Sequence, residues 1–149
     1  MTKTFTVKKE DLHTVASFVL TLVMEKIKNE GVFVALYGDL GAGKTAFVKE
    51  VAKLLGVEEE IISPTFILKK EYEVDLKEVE RLVHVDAYRF EKQKEGEVLH
   101  LDDDKKAKIL VFVEWPGNLR ERVWDAEMHF EYVSENVRRI AVTTHEKKL

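Results

Sequence analysis

Residues 38–45 read GDLGAGKT and place three of the chain's seven glycines in eight positions, between the apolar run VFVALY (32–37) and the helix-like run AFVKEVAKLLG (46–56). The pattern is G-x-x-x-x-G-K-[ST], with Gly38, Gly43, Lys44 and Thr45 at its fixed positions. Gly41 and Gly43 let backbone N–H groups turn inward and approach an anion with no Cβ in the way. A helix starting near Lys44 aims the positive end of its dipole at the same anion. Lys44 then reaches the β and γ phosphates of a nucleotide, and the Thr45 hydroxyl can ligate Mg²⁺. The strand before and the helix after are the context this loop requires. An ordinary turn would make no use of Lys44 and Thr45, so the segment reads as a phosphate cradle, and it demands an α/β fold.

The rest of the chain fits around that unit. TFTV (4–7) reads as a strand, and Leu12, Val15, Ala16, Val19, Leu22, Val23 and Ile27 recur at helical spacing before Gly31. VFVALY has the continuous apolar character of a strand buried on both faces. Phe47, Val48, Val51, Ala52 and Leu55 give the second helix an inward face, ended by Gly56. Pro64 in ISPTF (62–66) breaks regular structure. FILKKEYEV (66–74) and RLVHVDAY (81–88) read as an antiparallel hairpin joined through 75–80, and AEMHFEYV with VRRIAVTT as a second, terminal one. The polar segment 91–108 is expected to form short helices on a mobile surface, and ILVFVEW (109–115) a buried strand ending in an acid. The expected fold is a single 1–149 domain with one mixed, parallel and antiparallel, β-sheet flanked by helices.

Composition narrows the function. The 149 residues include 45% hydrophobic and 35% charged positions, the balance of a globular chain. No apolar run approaches a membrane span and the N-terminus has no signal-peptide core, so a cytoplasmic protein is expected. The absence of cysteine excludes disulfides and thiolate metal sites. A net charge of −4 without a basic stripe argues against tight, direct binding of nucleic acid.

A phosphate loop of this kind needs a carboxylate at the end of a neighbouring strand for its metal. Asp86, ending LVHVD, and Glu114, ending LVFVE, both qualify, and periodicity does not separate them. His84 shares a strand face with Asp86 and reads as a packed core residue. No N-K-x-D element is present to read guanine, and 91–108 contains no arginine, which disfavours a small-molecule kinase with an arginine-bearing lid. A metabolite kinase and a non-hydrolysing ATP-dependent assembly subunit are the rival readings.

GDLGAGKT, SPTF (63–66), HVDAYR (84–89) and VEWP (113–116), in that order and at these separations, together resemble the TsaE (YjeE) family. The resemblance runs over nearly the whole chain. It implies a P-loop NTPase-like fold and an ATPase, weak alone, of tRNA threonylcarbamoyladenosine biosynthesis. ATP and Mg²⁺ are the implied cofactors, TsaB and TsaD the implied partners, and tRNA is reached only through that complex. Carried over by position, Gly38 and Leu40, Gly41, Ala42, Gly43, Lys44 and Thr45 hold the nucleotide. Thr45 and Glu114 ligate the metal, Asp86 is an acid close by, and Thr65 is a switch-like element near the γ phosphate. Trp115 shapes the mouth of the site, where a core aromatic is the alternative on residue type. A nucleotide contact near the first helix falls around Glu10. The family's threonine after the Lys-Thr pair is Ala46 here, and its leucine in D-x-Y-R is Ala87.

Overall fold

The computed structural model describes residues 1–61, 68–76, 78–89 and 100–145. The chain runs β1 (Thr2–Lys8), α1 (Leu12–Ile27), β2 (Val32–Tyr37), α2 (Lys44–Leu54), β3 (Lys69–Leu76) and β4 (Val79–Asp86). A short helix, α3 (Leu101–Lys105), precedes β5 (Ile109–Glu114), β6 (Ala126–Ser134) and β7 (Val137–Thr144). The seven strands form one sheet in the order β1-β7-β6-β2-β5-β4-β3. β2 pairs in parallel with both β5 and β6, and β4 in parallel with β5. β1–β7, β6–β7 and β3–β4 are antiparallel, so the sheet is mixed as expected.

β2 and β5 owe their central places to their composition. Every residue from Ile109 to Glu114 is buried, as are Val32 to Leu36, because helices or loops cover both faces of an inner parallel strand. Val32, Val34 and Leu36 alternate onto the face carrying α1 and α2, with Val15, Val19, Val23, Phe47, Val48 and Val51. Phe33 and Ala35 point to the other face, against Leu101, Leu119, Trp124, Val83 and Val111. The inward face expected for α2 is buried in full, from Phe47 to Leu55. Gly56, at φ +74°, ends the helix in left-handed geometry while the Val57 N–H returns to the Ala52 carbonyl at 3.0 Å.

Two expectations change. The first hairpin is tighter than 75–80 implied, since Leu76 pairs with Val79. β3 is an edge strand with one solvated side, so it accepts the charged residues that read as a connection. The segment expected as a surface stretch is partly core, because Leu101 and Asp104 are 3% and 4% exposed. Residues 91–99 lie outside the described residues. A Cβ on Gly31 would stand 2.2 Å from the Asp104 carbonyl oxygen, so only glycine lets β2 begin this close to α3.

Asp104 accepts a hydrogen bond from Lys69 Nζ at 2.7 Å, linking α3 to β3. Burial pushes its carboxyl above the usual 3.8, against the pull of the Lys69 ammonium. A carboxyl raised in the fold opposes folding fully above its folded pKa. That opposition fades as pH falls through the folded value toward the unfolded one. Lys69→Met should therefore cost about 2–3 kcal/mol at pH 7, by leaving a buried carboxylate without this cation. Chemical denaturation of the variant and its parent should show the difference shrinking on mild acidification, and a pH-independent difference would exclude this origin.

Candidate functional site

Parallel pairing brings the site together at one sheet edge. Asp86 and Glu114 are register partners at the C-terminal ends of β4 and β5, and Leu36 pairs with Glu114 just before the glycine loop leaves β2. Ligand sites of open parallel sheets gather at this edge. Both acids and His84 lie on the sheet face that carries α2, since each is an even step from Leu82, Leu110 or Phe112, all in the core beneath the helices.

The loop adopts backbone conformations open to glycine, with φ of +150° at Gly38, +80° at Gly41 and +107° at Gly43. A Cβ on Gly38 would lie 2.8 Å from the Phe130 carbonyl oxygen, so that glycine is demanded by space as well. Gly43 is the N-cap of α2, and the Phe47 N–H bonds to its carbonyl at 2.9 Å. The loop therefore ends at the positive pole of an eleven-residue helix.

Lys44 is 4% exposed. Its Nζ donates to the Gly38 carbonyl at 2.5 Å, lies 3.8 Å from Glu114 Oε1, and sits 4.2 Å from the centre of the Trp115 ring. Burial lowers the Lys44 pKa, opposed by the charges of Glu114, Asp86 and Asp39. Thr45 Oγ1 donates to Glu114 Oε2 at 3.4 Å. The same oxygen lies 2.5 Å from His84 Nε2. An ionised carboxylate only accepts, so Nε2 carries the proton and the ring orients Glu114. His84 is thus a core residue, 0% exposed, and also a partner of the candidate metal ligand.

Asp86 does something different. Its Oδ1 accepts the Tyr88 N–H at 2.9 Å, closing the turn that follows β4. Trp115 is half-buried at φ +58°, with its ring 4.9 Å from that of Tyr88, so it stands at the site while packing on the core beneath. Thr65 lies outside the described residues.

A cavity of about 540 Å³ opens over the loop. Leu40, Gly41, Gly43, Lys44 and Thr45 line it together with Asp86 and Glu114, so the two acids and most of the loop share one space. Lys9, just before α1, and Leu12, its first residue, also line it, while Glu10 between them does not. Ala42 is buried behind the loop. Arg138, on β7, completes the wall and went unnoticed in the sequence. Its only signal there was a place in an alternating strand, which says nothing about a loop 97 positions away.

The donor set suits Mg²⁺. A hydroxyl and a carboxylate within 3.4 Å of each other are hard oxygen ligands, and Mg²⁺ commonly takes one or two such groups, with phosphates and water completing the octahedron. Among the described residues, no group of three or more His, Asp or Glu is placed to hold a metal unaided. No helix among them is long and apolar enough to cross a membrane.

Comparison with known proteins gives the arrangement a family. The family model described as "Threonylcarbamoyl adenosine biosynthesis protein TsaE" matches residues 7–141. A relative from Bacillus subtilis (strain 168), named tRNA threonylcarbamoyladenosine biosynthesis protein TsaE, is 38% identical over 118 residues, covering 79% of this chain and 68% of its own. One of the same name from Mycobacterium bovis is 36% identical over 119 residues, covering 74% and 70%. The crystal structure of Bacillus subtilis YdiB superposes with a TM-score of 0.68 at 27% identity, over 97% of this chain and 87% of that one. The chain belongs to the TsaE family, whose role lies in tRNA threonylcarbamoyladenosine biosynthesis.

Proposed function

We propose that this protein binds and hydrolyses ATP as a component of the threonylcarbamoyladenosine machinery, acting with TsaB and TsaD to sustain repeated turnover. The observation that carries this reading is the convergence of Lys44, Thr45 and Glu114 on one cavity, with the Thr45 hydroxyl bonded to the Glu114 carboxylate. Backbone N–H groups from Leu40 to Thr45 would receive the phosphates, with Lys44 placing its charge on the β and γ groups. Thr45 and Glu114 would hold Mg²⁺, which when bound screens the charge of the triphosphate. His84 keeps Glu114 turned toward Thr45. Asp86, beside Glu114 in the register, would orient water, and Thr65 is assigned to the γ-phosphate side by the family motif alone. The protein is proposed to work in the cytoplasm.

The test is an ATPase assay and a tRNA-modification assay, each with and without TsaB–TsaD from the same organism. Turnover alone should be slow and should change when the partners are added. ATP-loaded protein should co-sediment with TsaB–TsaD, and the isolated chain, at net charge −4, should bind tRNA weakly at physiological salt. A phosphorylated small molecule among the products would make it a kinase. Binding of ATP with no turnover in any combination would make it an assembly subunit. Tight tRNA binding without any partner binding would overturn the reading altogether.

A further inference from the structure

Arg138 reaches the nucleotide loop from β7, two strands away from β2 in the sheet. It is 4% exposed although it follows the exposed turn between β6 and β7. Its Nη1 donates to the carbonyls of Ser134 at 2.6 Å, Glu135 at 3.4 Å and Val137 at 3.0 Å. Its guanidinium carbon stands 4.5 Å from the centre of the Tyr132 ring. These contacts staple the turn. Nη2 does something the staple does not need: it donates to the Gly41 carbonyl at 3.3 Å. The side chain also fills the space beside Gly43, where a Cβ would lie 3.8 Å from Arg138 Cγ.

The Gly41 carbonyl belongs to the same peptide unit as the Ala42 N–H, which donates to the Asp39 carbonyl at 3.1 Å. That unit is therefore held at both ends, by Arg138 on one side and Asp39 on the other. The peptide planes flanking it carry the Gly41 and Gly43 N–H groups, and their orientation follows from it. Lys44 makes a comparable bond to the Gly38 carbonyl, but its ammonium is also the group assigned to the phosphates. The Arg138 fork is fixed at the turn and is not itself assigned to the phosphates, so filling the loop does not require it to release Gly41. Without it, glycines at φ +80° and +107° regain their wide conformational freedom, which binding must then remove.

We infer that Arg138 is a positioning residue that preorganises the glycine loop for the nucleotide polyphosphate by bridging the β6–β7 turn to the Gly41 carbonyl. The inference rests on the proposed nucleotide binding and assigns a part of it to a residue outside the motif. Rigid, pre-aimed donors raise affinity by lowering the entropy lost on binding. The planar guanidinium holds the turn through one nitrogen and Gly41 through the other, a fixed spacing that a compact ammonium on a flexible stem does not reproduce.

The test is calorimetric titration of the whole chain with Mg²⁺–ATP, Mg²⁺–ADP and inorganic tripolyphosphate, with thermal melts alongside. Arg138→Met, which keeps the stem, should weaken all three by about tenfold, the scale of one hydrogen bond to a charged group. Arg138→Lys should recover no more than about threefold of that loss. Equal losses for the bare tripolyphosphate and the nucleotides would place the effect in the loop rather than at the base. Parental affinity in Arg138→Met, with only a lowered melting temperature, would show a turn staple and overturn the inference. Parental affinity in Arg138→Lys would show that charge alone suffices and overturn it equally, and this variant decides the matter if Arg138→Met does not fold. A parent chain that binds none of the three ligands would instead refute the proposed function, and the inference with it.

Discussion

Lys44→Ala should weaken ATP binding by about a hundredfold and reduce turnover at least as much, while the protein remains folded. The magnitude is that of one or two charge-assisted hydrogen bonds to phosphate, at ~1.5–3 kcal/mol each. Lys44 lies 3.8 Å from Glu114 Oε1 and is buried beside the acids that line the cavity. Its removal takes away the cation facing the phosphates and leaves the carboxylates to repel them. The fold should survive because the core packing of α2 comes from Phe47, Val48, Val51 and Ala52, not from Lys44. Titration calorimetry for affinity, a phosphate-release assay for turnover and circular dichroism for the fold make up the measurement. Hydrolysis at the parental rate would show that GDLGAGKT does not serve as the phosphate loop.

Glu114→Gln should slow hydrolysis by about 10²–10³ while reducing ATP binding far less. The amide keeps the shape of the side chain but removes the negative charge that faces Thr45. It also disturbs the bond with His84 Nε2, which then meets an amide where it had a carboxylate. Asp86→Asn should slow hydrolysis as well, with a smaller change in the Mg²⁺ concentration needed for half-maximal turnover. Asp86 uses one oxygen to hold the Tyr88 N–H, an anchoring contact that Glu114 does not make. Turnover measured across a Mg²⁺ titration separates the two. If the larger shift in metal requirement belongs to Asp86→Asn, the roles are exchanged.

The legible parts of this protein are those written in short-range pattern. The strand before the loop and the helix after it are where the apolar runs placed them, because the periods of 2 and 3.6 residues are properties of local backbone geometry. Glu114 and Asp86 were equivalent on that basis, since each ends an apolar strand. The structure distinguishes them by which oxygen meets Thr45 and which meets a backbone N–H. His84 was readable as a core residue from its strand position but not as the partner of Glu114, which lies 30 residues away on another strand. The segment around Asp104 misled for a similar reason. A run of acids and lysines reads as solvated surface, and only its contact with Lys69 and its close approach to Gly31 make part of it core.

The sequence by itself determined the strand–loop–helix unit at Gly38 to Thr45, the two acids that end buried strands, and the family those motifs resemble. Each is a pattern within a few consecutive residues, where covalent geometry and glycine's lack of a Cβ settle what the backbone can do. The tertiary structure decided the strand order, the side-by-side register of Asp86 with Glu114, the bond from His84 to Glu114 and the arrival of Arg138 at Gly41. These depend on which strands become neighbours, and that choice is made by burial of apolar faces across the whole sheet. No local window of the chain contains it.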